Sequence, residues 1–336
     1  MKAMSLTQPA PIESSPLALI ELPDPSPGPG EVRLAVRCCA VCRTDLHIVE
    51  GDIHPPSLPI VPGHQIVGIV DRLGSGCQRL KLGMRVGAAW LRHTCGSCRF
   101  CRTERENLCP YSQYTGFHAN GGFAEYAVVP EDFAYELPSA YDDISASPLL
   151  CAGIIGYRAL KRCDLRPGGK LGIFGFGSSA TIVLQIARHR GHEVYVISRS
   201  RNHQQLASSM GATWCGSDAS KLPTPLDGVI LFAPAGPLVL PALSALDSGG
   251  TLALAGIHMT PIPSLDYDRY LYRERDIHPV TANTRTDGRE LLAEAAAAGV
   301  RAHTSVYSLK DVNRALQDMK ADRMNGTGVI AVTTPA

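Results

Sequence analysis

Short apolar runs broken by Pro and Gly dominate the first ~150 residues, EVRLAVRCCA at 31–40 and QIVGIVDRLG at 65–74 among them. Runs of this length with turn residues between them predict a β-rich, loop-heavy domain. From Pro167 the texture changes. GGKLGIFGFG supplies a short apolar strand and a glycine turn, a helix is predicted over about 178–190, and Gly191 is placed to stop it. Further apolar strands, EVYVIS (193–198), GVILFAP (228–234) and TLALAGI (251–257), then alternate with helical stretches. Alternation of this kind predicts an α/β domain with a doubly wound parallel sheet and helices on both faces. The tail from about Asp287, through the Ala-rich ELLAEAAAAG to TGVIAVTTP, is expected to return to the first domain. The expected division is 1–152, 153–285 and 286–336. There are no internal repeats, and PDPSPGPG at 23–30 reads as a loop.

The chain is 336 residues long and 45% hydrophobic, enough for two cores. Lys and Arg number 32 against 31 Asp and Glu, so the charge balance argues against a nucleic-acid partner. The N-terminus has no basic stretch followed by an apolar run, and no segment approaches the ~20 apolar residues of a membrane span. A cytoplasmic protein with no membrane partner is expected. Eleven cysteines, an odd number without an export signal, argue against a disulfide framework and for metal thiolates. Cys38, Cys39, Cys77, Cys163 and Cys215 are expected to be small buried hydrophobes instead.

The strongest local signal is Cys95, Cys98, Cys101 and Cys109, spaced CxxCxxCx7C in a lobe at about 91–112. Four clustered thiolates make a closed tetrahedral site for a structural zinc. An iron–sulfur cluster is chemically open to the same donors, but the spacing differs from the common ferredoxin runs. Elsewhere CCAVCRTDLH (38–47) holds Cys42, Thr44, Asp45 and His47, and PGHQIVG (62–68) holds His64. Each alone is a weak signal.

Together with the lobe, GGFAEY (121–126), LLCAG (149–153) and the glycine turn GFGSSA (175–180), these segments resemble the zinc-dependent medium-chain alcohol dehydrogenases over essentially the whole chain. The resemblance implies a Rossmann domain beside a β-rich, GroES-like catalytic domain, two zincs per chain, and a homodimer or homotetramer. By the same resemblance Cys42, His64 and Cys151 are three protein ligands of a catalytic zinc with an open fourth position. Thr44 is then the hydroxyl that takes the substrate's proton, His47 the outer relay base, and Asp45 the carboxylate that orients His64. The competing reading of Thr44 and Asp45 is a helix cap or turn. Trp90 matches an indole that narrows the pocket toward small primary alcohols and aldehydes; core packing serves equally well as its role. One position departs from the family, which commonly has Glu where this chain has Gln65.

Gly175, Gly177 and Ala180 follow the apolar strand LGIF and open a helix with Ser178 and Ser179, the context that makes a GxGxxA turn a dinucleotide site. Arg43 is either a pyrophosphate contact or a surface residue. A carboxylate at the end of the next strand would bond a ribose 2′-OH. This chain instead reads Ser198-Arg199-Ser200-Arg201, which suits a 2′-phosphate. NADP(H) is the expected cofactor, with NAD(H) the alternative if the basic turn is merely solvated. The expected reaction is hydride transfer between this cofactor and a small primary alcohol or aldehyde. Two rivals stand: a zinc-family dehydrogenase of a polyol, sugar or formaldehyde adduct, and a non-catalytic NADPH-binding zinc protein.

Overall fold

The computed structural model describes residues 1–324 and 326–332, so the end of the expected TGVIAVTTP strand, from Thr333, lies outside the described residues. The chain divides into two compact units. One comprises Met1–Cys151, Ala282–Ala296 and the residues from Arg301; the other comprises Ala152–Thr281 and Ala297–Val300.

In the first unit a seven-stranded sheet is organised around the ten-residue strand Glu31–Ala40. Val32, Leu34 and Val36 are fully buried in its core, the alternation expected of a strand with one face inward. This strand pairs antiparallel with Gln65–Leu73, with register shifts at Arg33/Leu34 and Val36/Cys38, and also with Tyr126–Pro130 through Glu31–Ala35 and with Thr327–Ala331 through Cys38–Ala40. The C-terminal segment thus completes the sheet that the N-terminal segment began.

The second unit holds a six-stranded parallel sheet in the order Trp214–Gly216, Glu193–Ile197, Lys170–Phe174, Leu226–Leu231, Leu246–Leu254, Asp276–Pro279. Its inner strands are buried nearly throughout, as strands covered on both faces must be. Strand order reverses between Lys170–Phe174 and Leu226–Leu231, and in such sheets ligands bind outside the carboxyl ends at that reversal. The helix after the glycine turn runs Ser178–His189, and Gly191 follows in the left-handed region at φ 81°.

Cys38, Cys39 and Cys163 are buried as small hydrophobes. Cys77 and Cys215 are only half-buried, which corrects the sequence expectation. Cys77 lies in a surface loop with its thiol on the Glu31 carbonyl, and Cys215 sits in the edge strand Trp214–Gly216, one flank of which has no neighbouring strand among the described residues.

Candidate functional site

Three separate segments of the first unit bring Cys42, His64 and Cys151 together, with their ligand atoms all within 4.8 Å of one another. Cys42 is the extended residue that caps the helix Arg43–Glu50; its sulfur accepts the Thr44 backbone N–H at 3.3 Å. His64 immediately precedes the strand Gln65–Leu73, and Cys151 follows the turn Ser147–Leu150. A residue unremarkable in sequence joins the three. The buried Ser147 hydroxyl donates to the Gln65 carbonyl at 2.6 Å and accepts the Ala40 N–H at 2.8 Å. It therefore ties the Cys151 turn to the strands that lead into Cys42 and out of His64. Gly63, at φ 95°, makes the approach to His64 possible: a Cβ there would come within 2.7 Å of the Phe123 ring. Phe123 belongs to GGFAEY, so two of the sequence landmarks pack directly on each other.

The donor set fits zinc. Cys42 and Cys151 sulfurs lie 3.9 Å apart, against about 3.8 Å for two thiolates on a tetrahedral zinc with ~2.3 Å bonds. His64 is fully buried, and its Nε2 has no hydrogen-bond partner among the described residues. A buried imidazole nitrogen left so is costly unless it ligates something.

Asp45 explains why that nitrogen is bare. Its carboxylate is fully buried and takes three contacts: the Cys42 N–H at 2.9 Å, the Gly63 N–H at 3.2 Å and His64 Nδ1 at 3.0 Å. An ionised carboxylate only accepts, so Nδ1 carries the proton and the Nε2 lone pair is left for a metal. Asp45 also closes a capping box with Cys42, so the helix-cap reading and the orienting reading both describe it. Burial raises its pKa, opposed by the facing His64. Burial disfavours the charged form of His64, but without a metal Asp45 and Cys42 more than offset this and bring its pKa up to about 10, so a metal at Nε2 takes the place of a proton there. The Cys42 thiol is driven well below its ordinary range, first by its hydrogen bond with Cys151 and then, against burial, by His64; the same contact drives Cys151 up.

Thr44 is buried one turn ahead of His47, at i and i+3 on one helix face. His47 Nδ1 lies 2.7 Å from the half-exposed Asp52 carboxylate. Asp52 escaped the sequence reading; its only signal is a carboxylate just past the helix-stopping Gly51. Trp90 stands edge-on to His64 at 5.0 Å between ring centroids and stacks on Tyr114 at 4.8 Å and 10°. It thus touches a zinc-ligand candidate and also belongs to the core. Gln65 is fully buried, and neither atom of its amide has a partner among the described residues. Arg43 is exposed, and its guanidinium donates to the Met319 carbonyl at 3.4 Å.

Cys95, Cys98, Cys101 and Cys109 also converge, with sulfur separations of 3.9, 3.5 and 3.6 Å for the pairs 95/101, 98/101 and 95/109. Backbone N–H groups of Ser97 and Cys98 pull the Cys95 thiol down to about 6, whereas burial lifts Cys101 to about 11. Glu106, inside the lobe, is bound by the Arg285 backbone N–H at 2.7 Å and by its guanidinium at 2.6 Å, which anchors the lobe to the start of the helix Arg285–Ala298.

In the second unit Gly175 takes φ 89°, and a Cβ there would meet the Ala233 backbone at 3.1 Å. Gly177 is exposed, with open space where a side chain would be, and no side chain caps the helix Ser178–His189 behind it. Ser178 and Ser179 are half-buried and Ala180 is fully buried. An uncapped helix N-terminus behind a bare glycine offers its backbone N–H groups to an anion. At the end of the neighbouring strand Ser198 is buried, Arg199 and Arg201 are exposed, and the Ser200 hydroxyl caps the helix Arg201–Ser209 on the His203 N–H at 3.3 Å. No Asp or Glu occurs between Glu193 and Asp218.

Residues 28–139 match the alcohol dehydrogenase GroES-like domain family and residues 180–297 the zinc-binding dehydrogenase family. The chain is 48% identical to "Probable alcohol dehydrogenase AdhA" of Mycobacterium tuberculosis (strain CDC 1551 / Oshkosh), over 99% of this chain and 97% of that protein. It is 32% identical to an alcohol dehydrogenase of Geobacillus stearothermophilus, over 94% and 95% of the two chains. Among solved structures, the cobalt- and zinc-bound thermostable alcohol dehydrogenase from Pyrobaculum aerophilum superposes with a TM-score of 0.90 at 28% identity, covering 99% of each chain. This chain belongs to the zinc-dependent medium-chain alcohol dehydrogenase family, the NAD(P)-dependent oxidoreductases of alcohols and aldehydes.

Proposed function

We propose that this alcohol dehydrogenase prefers NADP(H) and acts on small primary alcohols and aldehydes. The observation that carries the cofactor preference is the loop Ser198-Arg199-Ser200-Arg201. It has two exposed guanidiniums and no carboxylate to repel a 2′-phosphate. Arg199, two residues past the strand Glu193–Ile197 and without an ion-pair partner among the described residues, is the best-placed clamp.

Cys42, His64 and Cys151 would hold the catalytic zinc, and Cys95, Cys98, Cys101 and Cys109 the structural one. Zinc supplies Lewis acidity and the nicotinamide supplies or accepts hydride. The chain's own residues then do three things. Asp45 keeps the His64 Nε2 lone pair facing the metal position. Thr44 and His47, on one helix face, carry the substrate's hydroxyl proton outward, with the Asp52 carboxylate accepting from His47 Nδ1 and so favouring the tautomer in which Nε2 is the acceptor. Trp90, braced by Tyr114, limits the room beside His64 and favours short, unbranched substrates. Gly175, Gly177 and the first turn with Ser178, Ser179 and Ala180 would receive the diphosphate, and Arg43 would add charge to it. No described helix is long and apolar enough to cross a membrane. None of the eleven cysteines is in a disulfide, which suits work in the cytoplasm, and a homodimer or homotetramer is the assembly the family suggests.

The test is a steady-state panel of alcohols and aldehydes with NADPH and NADH, with Arg199→Ala alongside. Arg199 should contribute about 1.5–3 kcal/mol toward the phosphate, so its loss should raise KM for NADPH roughly tenfold or more and barely move KM for NADH. Equal effects on both cofactors, or a wild-type preference for NADH, would overturn the assignment.

A further inference from the structure

At the carboxyl ends of two adjacent strands in the second unit, Leu226–Leu231 and Leu246–Leu254, the loops that follow are clasped by one side chain. The Gly236 N–H donates to the Thr260 hydroxyl at 2.9 Å, and the Thr260 N–H donates to the Pro234 carbonyl at 3.3 Å. The backbones meet so closely that a Cβ on Gly236 would stand 2.4 Å from the Thr260 carbonyl and 2.2 Å from that of Pro261. The first of these loops also abuts the glycine turn, through Ala233 against Gly175. A continuous wall therefore runs from the diphosphate turn, through Ala233 and Gly236, to Thr260.

The sheet decides what this wall faces. A dinucleotide lies across the point where strand order reverses, with its adenosine ribose at the end of the strand after the glycine turn, here Glu193–Ile197. Its diphosphate sits at the N-terminus of Ser178–His189. The nicotinamide half must then extend the other way, over the ends of Leu226–Leu231 and Leu246–Leu254, where the clasped loops are. We propose that Thr260 is a positioning residue for the nicotinamide half of the cofactor, holding the two loops together as one surface. It does so without taking part in adenosine recognition. The proposal rests on the dinucleotide reading of the glycine turn. Thr260 itself is exposed, so removing its hydroxyl leaves no cavity in a core.

The test is a binding titration of the zinc-loaded enzyme, wild type, Thr260→Val and Thr260→Ser, with three probes. These are NADPH, reduced nicotinamide mononucleotide, and 2′-phospho-ADP-ribose, which lacks the nicotinamide. Val removes the acceptor of the Gly236 N–H while keeping the shape, and Ser restores it. In Thr260→Val, NADPH and the nicotinamide mononucleotide should bind ~3–10-fold more weakly, as loss of one hydrogen bond implies. The 2′-phospho-ADP-ribose should bind as in wild type, and Thr260→Ser should recover the loss. Unchanged NADPH binding in Thr260→Val, or equal weakening of all three probes, overturns the proposal. A wild-type enzyme that binds none of the three instead sinks the dinucleotide reading on which it rests.

Discussion

Asp45→Asn isolates the carboxylate beneath the zinc-ligand candidate His64 with almost no change of shape. The wild-type side chain offers two acceptor oxygens to three donors: the N–H groups of Cys42 and Gly63, and His64 Nδ1. Asparagine offers one oxygen and an NH2 group, and neither orientation satisfies all three. With its oxygen toward Gly63 and His64, the NH2 group confronts the Cys42 N–H. With its oxygen toward Cys42, the NH2 group confronts Gly63 and Nδ1, which forces the imidazole proton onto Nε2, the atom left for metal. Either way at least one buried donor loses its acceptor, costing about 1–3 kcal/mol of stability. Loss of such an orienting partner typically weakens metal affinity 10- to 100-fold, which is ~1.4–2.8 kcal/mol. The assay is competition for zinc against a chromophoric chelator, with total zinc per chain measured on the same samples. The four-cysteine lobe should keep its zinc while the Cys42/His64/Cys151 site loses affinity; a urea melt reads the stability term. Wild-type zinc affinity and wild-type stability together in Asp45→Asn would refute the reasoning.

Trp90→Ala should open the pocket beside His64 and improve kcat/KM for longer or branched alcohols relative to ethanol; unchanged ratios across a chain-length series would return Trp90 to a core role alone. Gln65→Glu should alter turnover only modestly, because neither atom of the Gln65 amide has a partner to lose among the described residues; zinc occupancy falling to near zero would contradict this. Glu106→Gln should destabilise the enzyme by ~1–2 kcal/mol near neutral pH, since it weakens a largely buried, bidentate pair with Arg285. Burial pushes the Glu106 pKa up, but the Arg285 hydrogen bonds outweigh it and hold the carboxyl below its usual 4.5. A depressed pKa means that the pair's stabilisation is present above the ordinary Glu value and lost as pH falls through the folded one. The difference between wild type and Glu106→Gln in denaturant melts should therefore shrink below about pH 4.5; a constant gap would show that the pair's charge is not its source.

What the sequence alone determined is what local spacing can encode. Cys95 to Cys109 fall within one short lobe, so residue type and interval were enough to place four sulfurs around one point. The strand, glycine turn and helix from Lys170 to His189 were legible for a similar reason. An apolar run, a glycine turn and a stop at Gly191 are each written within a few residues. Periodicity could give the alternating strands of the second unit, but not that Cys77 and Cys215 stay half-exposed. Exposure there depends on which loop or sheet edge the residue ends on.

Tertiary structure decided the rest, because its contacts join residues far apart in the chain. Cys42 and Cys151 stand 109 residues apart and meet at 3.9 Å; neither carries a local signature, and only family resemblance singled out Cys151. Ser147, which draws the three ligand segments together through Gln65 and Ala40, looks in sequence like any serine before a proline. Glu106 and Arg285, 179 residues apart, give no hint of each other until the chain has folded. Asp45 could be read as a helix cap or as an orienting carboxylate, and only the folded chain shows both. One of its oxygens faces the start of its own helix, and the other faces an imidazole from the segment that leads into a distant strand. Short-range geometry is set by covalent connectivity and can be read along the chain; long-range contact depends on how sheets and turns pack, which no single segment contains.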